Sequence, residues 1–186
     1  MNFRKWFTLV EITIVVIITA ILFVLLSKVY ITASQLYIYQ SDNKNISQDL
    51  LFFNQNLQNL ADSSEIDYSK YTNLKNNLWY TWNLYLKWKD YNYKLYQQSG
   101  AIFLQKYKTW FSVDIPITRT WDSLVDKLVF KIIPYENPFK VFSDKTQQPF
   151  VLVFLEIKSK YYNPATWYKN IKYSIQEWFN FRYYDN

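Results

Sequence analysis

The sequence predicts an α+β protein: a long N-terminal helix, membrane-spanning over its first half, packed on an antiparallel β-sheet domain. Three observations predict it. From Phe7 to Ser27 the chain is dominated by Leu, Ile, Val and Phe, and its one charge is Glu11. A stripe of apolar residues at helical spacing follows, and beyond Asp62-Ser63-Ser64 the period changes to alternation. The chain is thereby divided into a leader over 1–6, a transmembrane helix over 7–30, an amphipathic extension over 31–61 and an extracytoplasmic β-rich domain over 62–186.

The leader, Met1-Asn2-Phe3-Arg4-Lys5-Trp6, is short and basic. The apolar run behind it is close to the roughly 20 residues that an α-helix needs to cross the hydrocarbon layer. A secretory signal peptide has a shorter apolar core with a small-residue cleavage site after it. Here the run continues through Lys28-Val29-Tyr30 without such a site, so a retained membrane helix fits better. The positive-inside rule places Arg4 and Lys5 in the cytoplasm and sends the rest of the chain outward. An ionisable residue within the span, Glu11, marks function by default because a charge there is costly.

Beyond the span, Ile46, Leu50, Phe53, Leu57 and Leu60 recur at spacings of four and three, flanked by Asn, Gln and Asp. That spacing makes one apolar stripe on a helix. Neither Pro nor Gly interrupts Phe7 through Ala61, which predicts one continuous helix of about 80 Å at 1.5 Å per residue. The stripe is expected to dock on the domain that follows. A two-chain coiled coil would use the same spacing, but roughly two heptads are too few to support it.

In the C-terminal region Leu84, Leu86 and Trp88 alternate with polar residues, as do Tyr91, Tyr93 and Leu95, which predicts a hairpin across Lys89-Asp90. Further strands are expected near 101–105, 110–117, 127–133, 150–158, 168–175 and 179–184. The uninterrupted apolar run from Phe150 to Leu155 predicts a central strand buried on both faces. Pro134, Pro138 and Pro164 mark loops.

Of the 186 residues 50% are hydrophobic and 22% aromatic, ample for a packed core. The net charge of +6 comes from Lys residues scattered among Tyr and Asn, a mild bias toward anionic partners such as lipid head groups or nucleic acid. Cysteine and histidine are absent, which removes disulfides, thiol nucleophiles, imidazole bases and the usual zinc ligands. The carboxylates Asp122, Asp126 and Glu156 show no spacing that pairs an acid with a base. The sequence therefore predicts no catalytic residue, metal site or cofactor, and a non-enzymatic protein.

Glycine occurs once, at Gly100, and tryptophan eight times. Ordinary usage of about 7% would give roughly 13 glycines in a chain of this length. Thr120-Trp121-Asp122, Ala165-Thr166-Trp167, Gln176-Glu177-Trp178 and Trp88-Lys89-Asp90 all read as turns if Trp is replaced by Gly. Such a pattern arises when UGA encodes glycine in the source genome and is translated as tryptophan. A chain truly rich in Trp and poor in Gly is the other reading. The codons at Trp6, Trp79, Trp82, Trp88, Trp110, Trp121, Trp167 and Trp178 separate the two.

Phe7-Thr8-Leu9-Val10-Glu11 behind a basic leader resembles the class III signal of type IV pilins and type II secretion pseudopilins. In that family the leader ends in Gly, a prepilin peptidase cuts after it, and the new N-terminal residue, usually Phe, is N-methylated. The resemblance implies cleavage between Trp6 and Phe7, N-methylation of Phe7, and assembly through Phe7 and Glu11. The Glu11 carboxylate would compensate the positive amine of a neighbouring subunit during assembly. The partners implied are other pilin subunits, the prepilin peptidase, an inner-membrane platform protein and membrane lipid. The implied course runs from a single-pass inner-membrane protein, its C-terminal domain outside, to an extracellular or periplasmic filament.

Two features depart from the family pattern. Trp6 stands where Gly is usual, and a glycine there would make the leader regular. The helix also lacks the proline common in major pilins, which points to a minor subunit, and without cysteines there is no disulfide-closed loop near the C-terminus. The resemblance covers the chain through about Tyr30, and the C-terminal domain carries no recognised motif. Two other readings remain open: a pilus-associated subunit that binds DNA through its Tyr- and Lys-rich surface, and a signal-anchored membrane protein that is never cleaved.

Overall fold

In the computed structural model, residues 8–71, 80–118, 123–134, 148–159 and 171–181 are described. The absence of Pro and Gly from the N-terminal third has the expected result: one helix, α1, runs over Leu9–Ser63. The chain divides into two units, Met1–Ser41 and Asp42–Asn186.

In the first unit the side chains from Thr8 to Leu26 are exposed without exception. The hydroxyls of Thr13, Thr19 and Thr32 donate to the carbonyls of Leu9, Val15 and Lys28 at 2.9, 2.7 and 2.9 Å. Each of these three threonine hydroxyls is thus satisfied within the helix, as an apolar surrounding requires. This segment is long and apolar enough to cross a membrane.

The second unit begins with the amphipathic part of α1. Its buried residues are Ile46, Asp49, Leu50, Phe53, Leu57, Leu60 and Ala61, so all five positions of the expected stripe face the core. Burial of such side chains contributes about 1.5–3 kcal/mol each. The stripe docks on two antiparallel sheets of the same chain, and its residues share one core with theirs.

The first sheet holds β1 (Glu65–Ile66), β3 (Asn83–Lys87), β4 (Asn92–Gln98), β5 (Ala101–Lys108) and β6 (Phe111–Pro116), in the order β1-β3-β4-β5-β6. The second holds β2 (Tyr80–Thr81), β7 (Ser123–Ile133), β8 (Phe150–Ser159) and β9 (Lys172–Asn180), in the order β2-β7-β8-β9. The expected hairpin is present: Lys87 pairs with Asn92, and the Trp88 N–H donates to the Tyr91 carbonyl at 2.9 Å, leaving Lys89-Asp90 at the tip.

Three expectations are corrected. A single sheet was expected, but Tyr80 and Thr81 pair with β7 while Asn83 pairs with β4, so the chain changes sheets at Trp82. The strands expected at 168–175 and 179–184 are one strand over their described part, because Gln176, Glu177 and Trp178 pair with Phe154, Val153 and Leu152 rather than turning. A long neighbour that offers an unbroken ladder overrides a local turn signal. Lastly, β8 is central and sends Val151, Val153, Leu155 and Ile157 into the core, but on its other face only Leu152 is buried, with Phe150 and Phe154 half-covered.

Candidate functional site

Thr8 caps the helix on which the predicted assembly residue lies. The Thr8 N–H donates to Glu11 Oε2 at 2.9 Å, and the Glu11 N–H donates to Thr8 Oγ1 at 3.3 Å. This reciprocal pair is a capping box, in which two of the helix's orphan amides are satisfied by side chains. The carboxylate also faces the positive end of the helix dipole, an interaction of about 0.3–1 kcal/mol. Beyond the assembly role expected of Glu11, the Thr-x-x-Glu spacing at positions 8 and 11 is the sequence signal of this cap. The predicted cleavage and methylation positions, Trp6 and Phe7, lie outside the described residues.

The surface around Glu11 is apolar on every side. Leu9, Val10, Ile12, Ile14 and Val15 are all more than half exposed. At about 25 cal/mol per Å² of apolar surface, so much exposed hydrocarbon requires a cover of lipid or of other helices. A carboxylate in such a cover needs a countercharge to remain ionised at low cost.

Within the second unit three polar contacts fix α1 to consecutive strands. The Ser123 hydroxyl on β7 donates to Asp49 Oδ2 at 2.5 Å, and the Ser159 hydroxyl on β8 donates to Asp42 Oδ2 at 2.6 Å. The Tyr173 hydroxyl on β9 donates to Asn43 Oδ1. Asp49 is buried, so its contact is insulated from water and strongly directional. These three residues set which turn of the helix meets which strand.

The carboxylates considered for chemistry are engaged otherwise. Asp126 Oδ1 lies 2.7 Å from Lys158 Nζ, and Glu156 Oε2 lies 2.8 Å from Lys172 Nζ. The hydrogen bond from Lys158 holds the Asp126 carboxyl below the usual carboxylate range. Asp122 lies outside the described residues. Among the described residues no group of three or more Asp, Glu, His or Cys converges as a metal would require.

Two aromatic surfaces remain. On the first sheet the Lys94 ammonium sits 4.6 Å from the Tyr96 ring centroid and 5.8 Å from that of Tyr85, and Tyr96 stacks on Phe103 at 5.9 Å. Partial burial, and then the neighbouring Asp114 carboxylate, push the Tyr96 phenol up. On the second sheet Tyr80, Trp82, Lys127, Val129 and Phe154 line a groove of about 320 Å³. In comparison with known proteins, no family model matches the chain, no curated protein matches it, and no solved structure matches its fold.

Proposed function

We propose that this chain is a structural subunit, a minor pilin or pseudopilin, of a type IV pilus or type II secretion-like filament. On this reading it is cleaved before Phe7 and N-methylated by a prepilin peptidase, held in the inner membrane, and then extracted by way of a platform protein into a filament. The observation that carries the reading is Glu11: one carboxylate, directly behind Phe7-Thr8, in a helical segment that through Leu26 has no other charge and is exposed on all sides. Lipid covers that surface before assembly, and the helices of other subunits cover it afterwards. The amine of a neighbouring Phe7 would supply the countercharge that hydrocarbon cannot.

The capping box makes the test discriminating. Glu11→Gln keeps the cap, since Gln serves in that position as well as Glu, but removes the charge. Glu11→Ala removes both. Under the proposal, both variants fold and neither enters filaments isolated from cells. Filaments containing Glu11→Gln subunits at the normal level would reduce Glu11 to a cap. N-terminal sequencing addresses the membrane-anchor reading: a chain beginning at N-methylated Phe7 supports the pilin, and an intact leader supports the anchor.

The DNA-binding reading draws on Lys94 between Tyr85 and Tyr96, since stacking rings beside a cation grip single strands without sequence preference. Asp114 next to Tyr96 opposes it. Binding of single-stranded DNA that weakens steeply with salt, and is lost in Lys94→Ala, would favour it.

A further inference from the structure

We infer that position 110, written as tryptophan, is occupied by glycine in the protein as its source cell makes it. Two neighbouring hairpins of the first sheet allow a direct comparison. The β4–β5 connection pairs Gln98 with Ala101 and turns on two residues, Ser99 and Gly100, with φ of 51° and 77°. Positive φ at both central residues is the type I′ geometry, whose twist matches that of the flanking strands. The backbone calls for glycine there, and a Cβ on Gly100 would also come within 2.2 Å of Leu124 Cδ1, so that side chain would have to move.

The next hairpin has the same length. Lys108 pairs with Phe111, and the turn consists of Thr109 and Trp110. Trp110 thus holds the place that Gly100 holds one hairpin earlier, the position at which two-residue turns most often carry glycine. Neither Thr109 nor Trp110 has positive φ, so this loop lacks the favoured turn geometry, which a side chain at that position penalises. The indole gains nothing in exchange, since Trp110 is 96% exposed.

The other described tryptophans follow the same trend. Trp82, at the change of sheet, is 64% exposed and Trp88, at the β3–β4 hairpin, 42%; Trp178 is 54% exposed but differs in lying within β9, its ring 5.1 Å from that of Phe150. Phe, Leu, Ile and Val fill the core, and no described tryptophan joins it. Large aromatic rings are ordinarily the residues that bury most area, whereas glycine is indifferent to exposure and abundant in turns. One cause covers both the surplus of exposed Trp and the deficit of Gly: a UGA codon that inserts glycine.

The inference does not rest on the filament reading, and a chain that never assembles would leave it standing. Mass spectrometry of peptides from the chain isolated from its source cells tests it. The expected peptide reads Thr-Gly-Phe across positions 109 to 111, from a gene with UGA at codon 110. A peptide reading Thr-Trp-Phe, or a UGG codon at that position, overturns it.

Discussion

The two halves of α1 are built from the same aliphatic residues and treat them in opposite ways. Leu22, Leu25 and Leu26 are each more than half exposed, whereas Leu57 and Phe53 are 1% and 2% exposed. The backbone hydrogen bonds are alike, so the difference lies in what surrounds the helix. The second half carries a narrow stripe with Asp, Asn and Gln beside it, and its own sheets cover that stripe. The first half is apolar all round, and within the described residues nothing in the chain covers it. An all-round apolar helix is one whose cover is supplied from outside.

The largest effect that would break this comparison concerns the buried stripe. Phe53→Ala is expected to cost about 3–5 kcal/mol of domain stability through lost burial and a cavity, measured by urea unfolding of the full chain in detergent. Leu22→Ala, in the exposed half, should change the same transition by less than about 0.5 kcal/mol. Equal losses in the two variants would show that the first half, too, is covered by its own chain.

A medium effect is expected where α1 gives way to the sheets. The Tyr71 hydroxyl donates to the Asn83 carbonyl at 3.2 Å and accepts from the Tyr85 N–H at 2.6 Å, fixing the connector to β3. Tyr71→Phe strands the Tyr85 N–H, while the Asn83 carbonyl keeps the Thr81 hydroxyl at 3.0 Å, at a cost of about 1–3 kcal/mol. Burial raises the Tyr71 and Tyr68 phenols above the ordinary value of 10.0. A phenol raised in the fold contributes stability that is complete below about pH 10 and is lost as pH rises further, because the unfolded chain ionises first. Urea midpoints between about pH 8 and about pH 11 should therefore fall in the wild type and fall less in Tyr71→Phe.

The smallest effect sharpens the contrast between surface and interior. Asp126→Asn removes a half-exposed pair with Lys158 and should cost under about 1 kcal/mol. Because the folded carboxyl titrates below its usual range, its contribution is present at neutral pH. It disappears as pH falls through that depressed value, so the two proteins should converge in acid.

How much of this was legible depends on how local the signal is. The stripe from Ile46 to Leu60 and the hairpin across Lys89-Asp90 could be read because the period of side chains on one element carries them. The capping box is equally local, a threonine three residues before a glutamate. The merging of two expected strands into β9 was not legible. Gln176-Glu177-Trp178 reads as a turn with glycine in place of Trp178, whereas in the fold the ladder with Val153 keeps it extended. The contacts of Asp49 with Ser123 and Asp42 with Ser159 span 74 and 117 residues, and no periodicity reports a partner so distant.

By itself the sequence determined the helix, its division into an all-round apolar half and a striped half, and the place of Glu11 at the head of the first. Each depends on residues within a few turns of one another. The tertiary structure alone decided that the strands form two sheets, with the change at Trp82, and that Asp49, Asp42 and Asn43 anchor α1 to β7, β8 and β9. Those outcomes depend on which distant surfaces exclude water together, a property of the whole fold rather than of any segment.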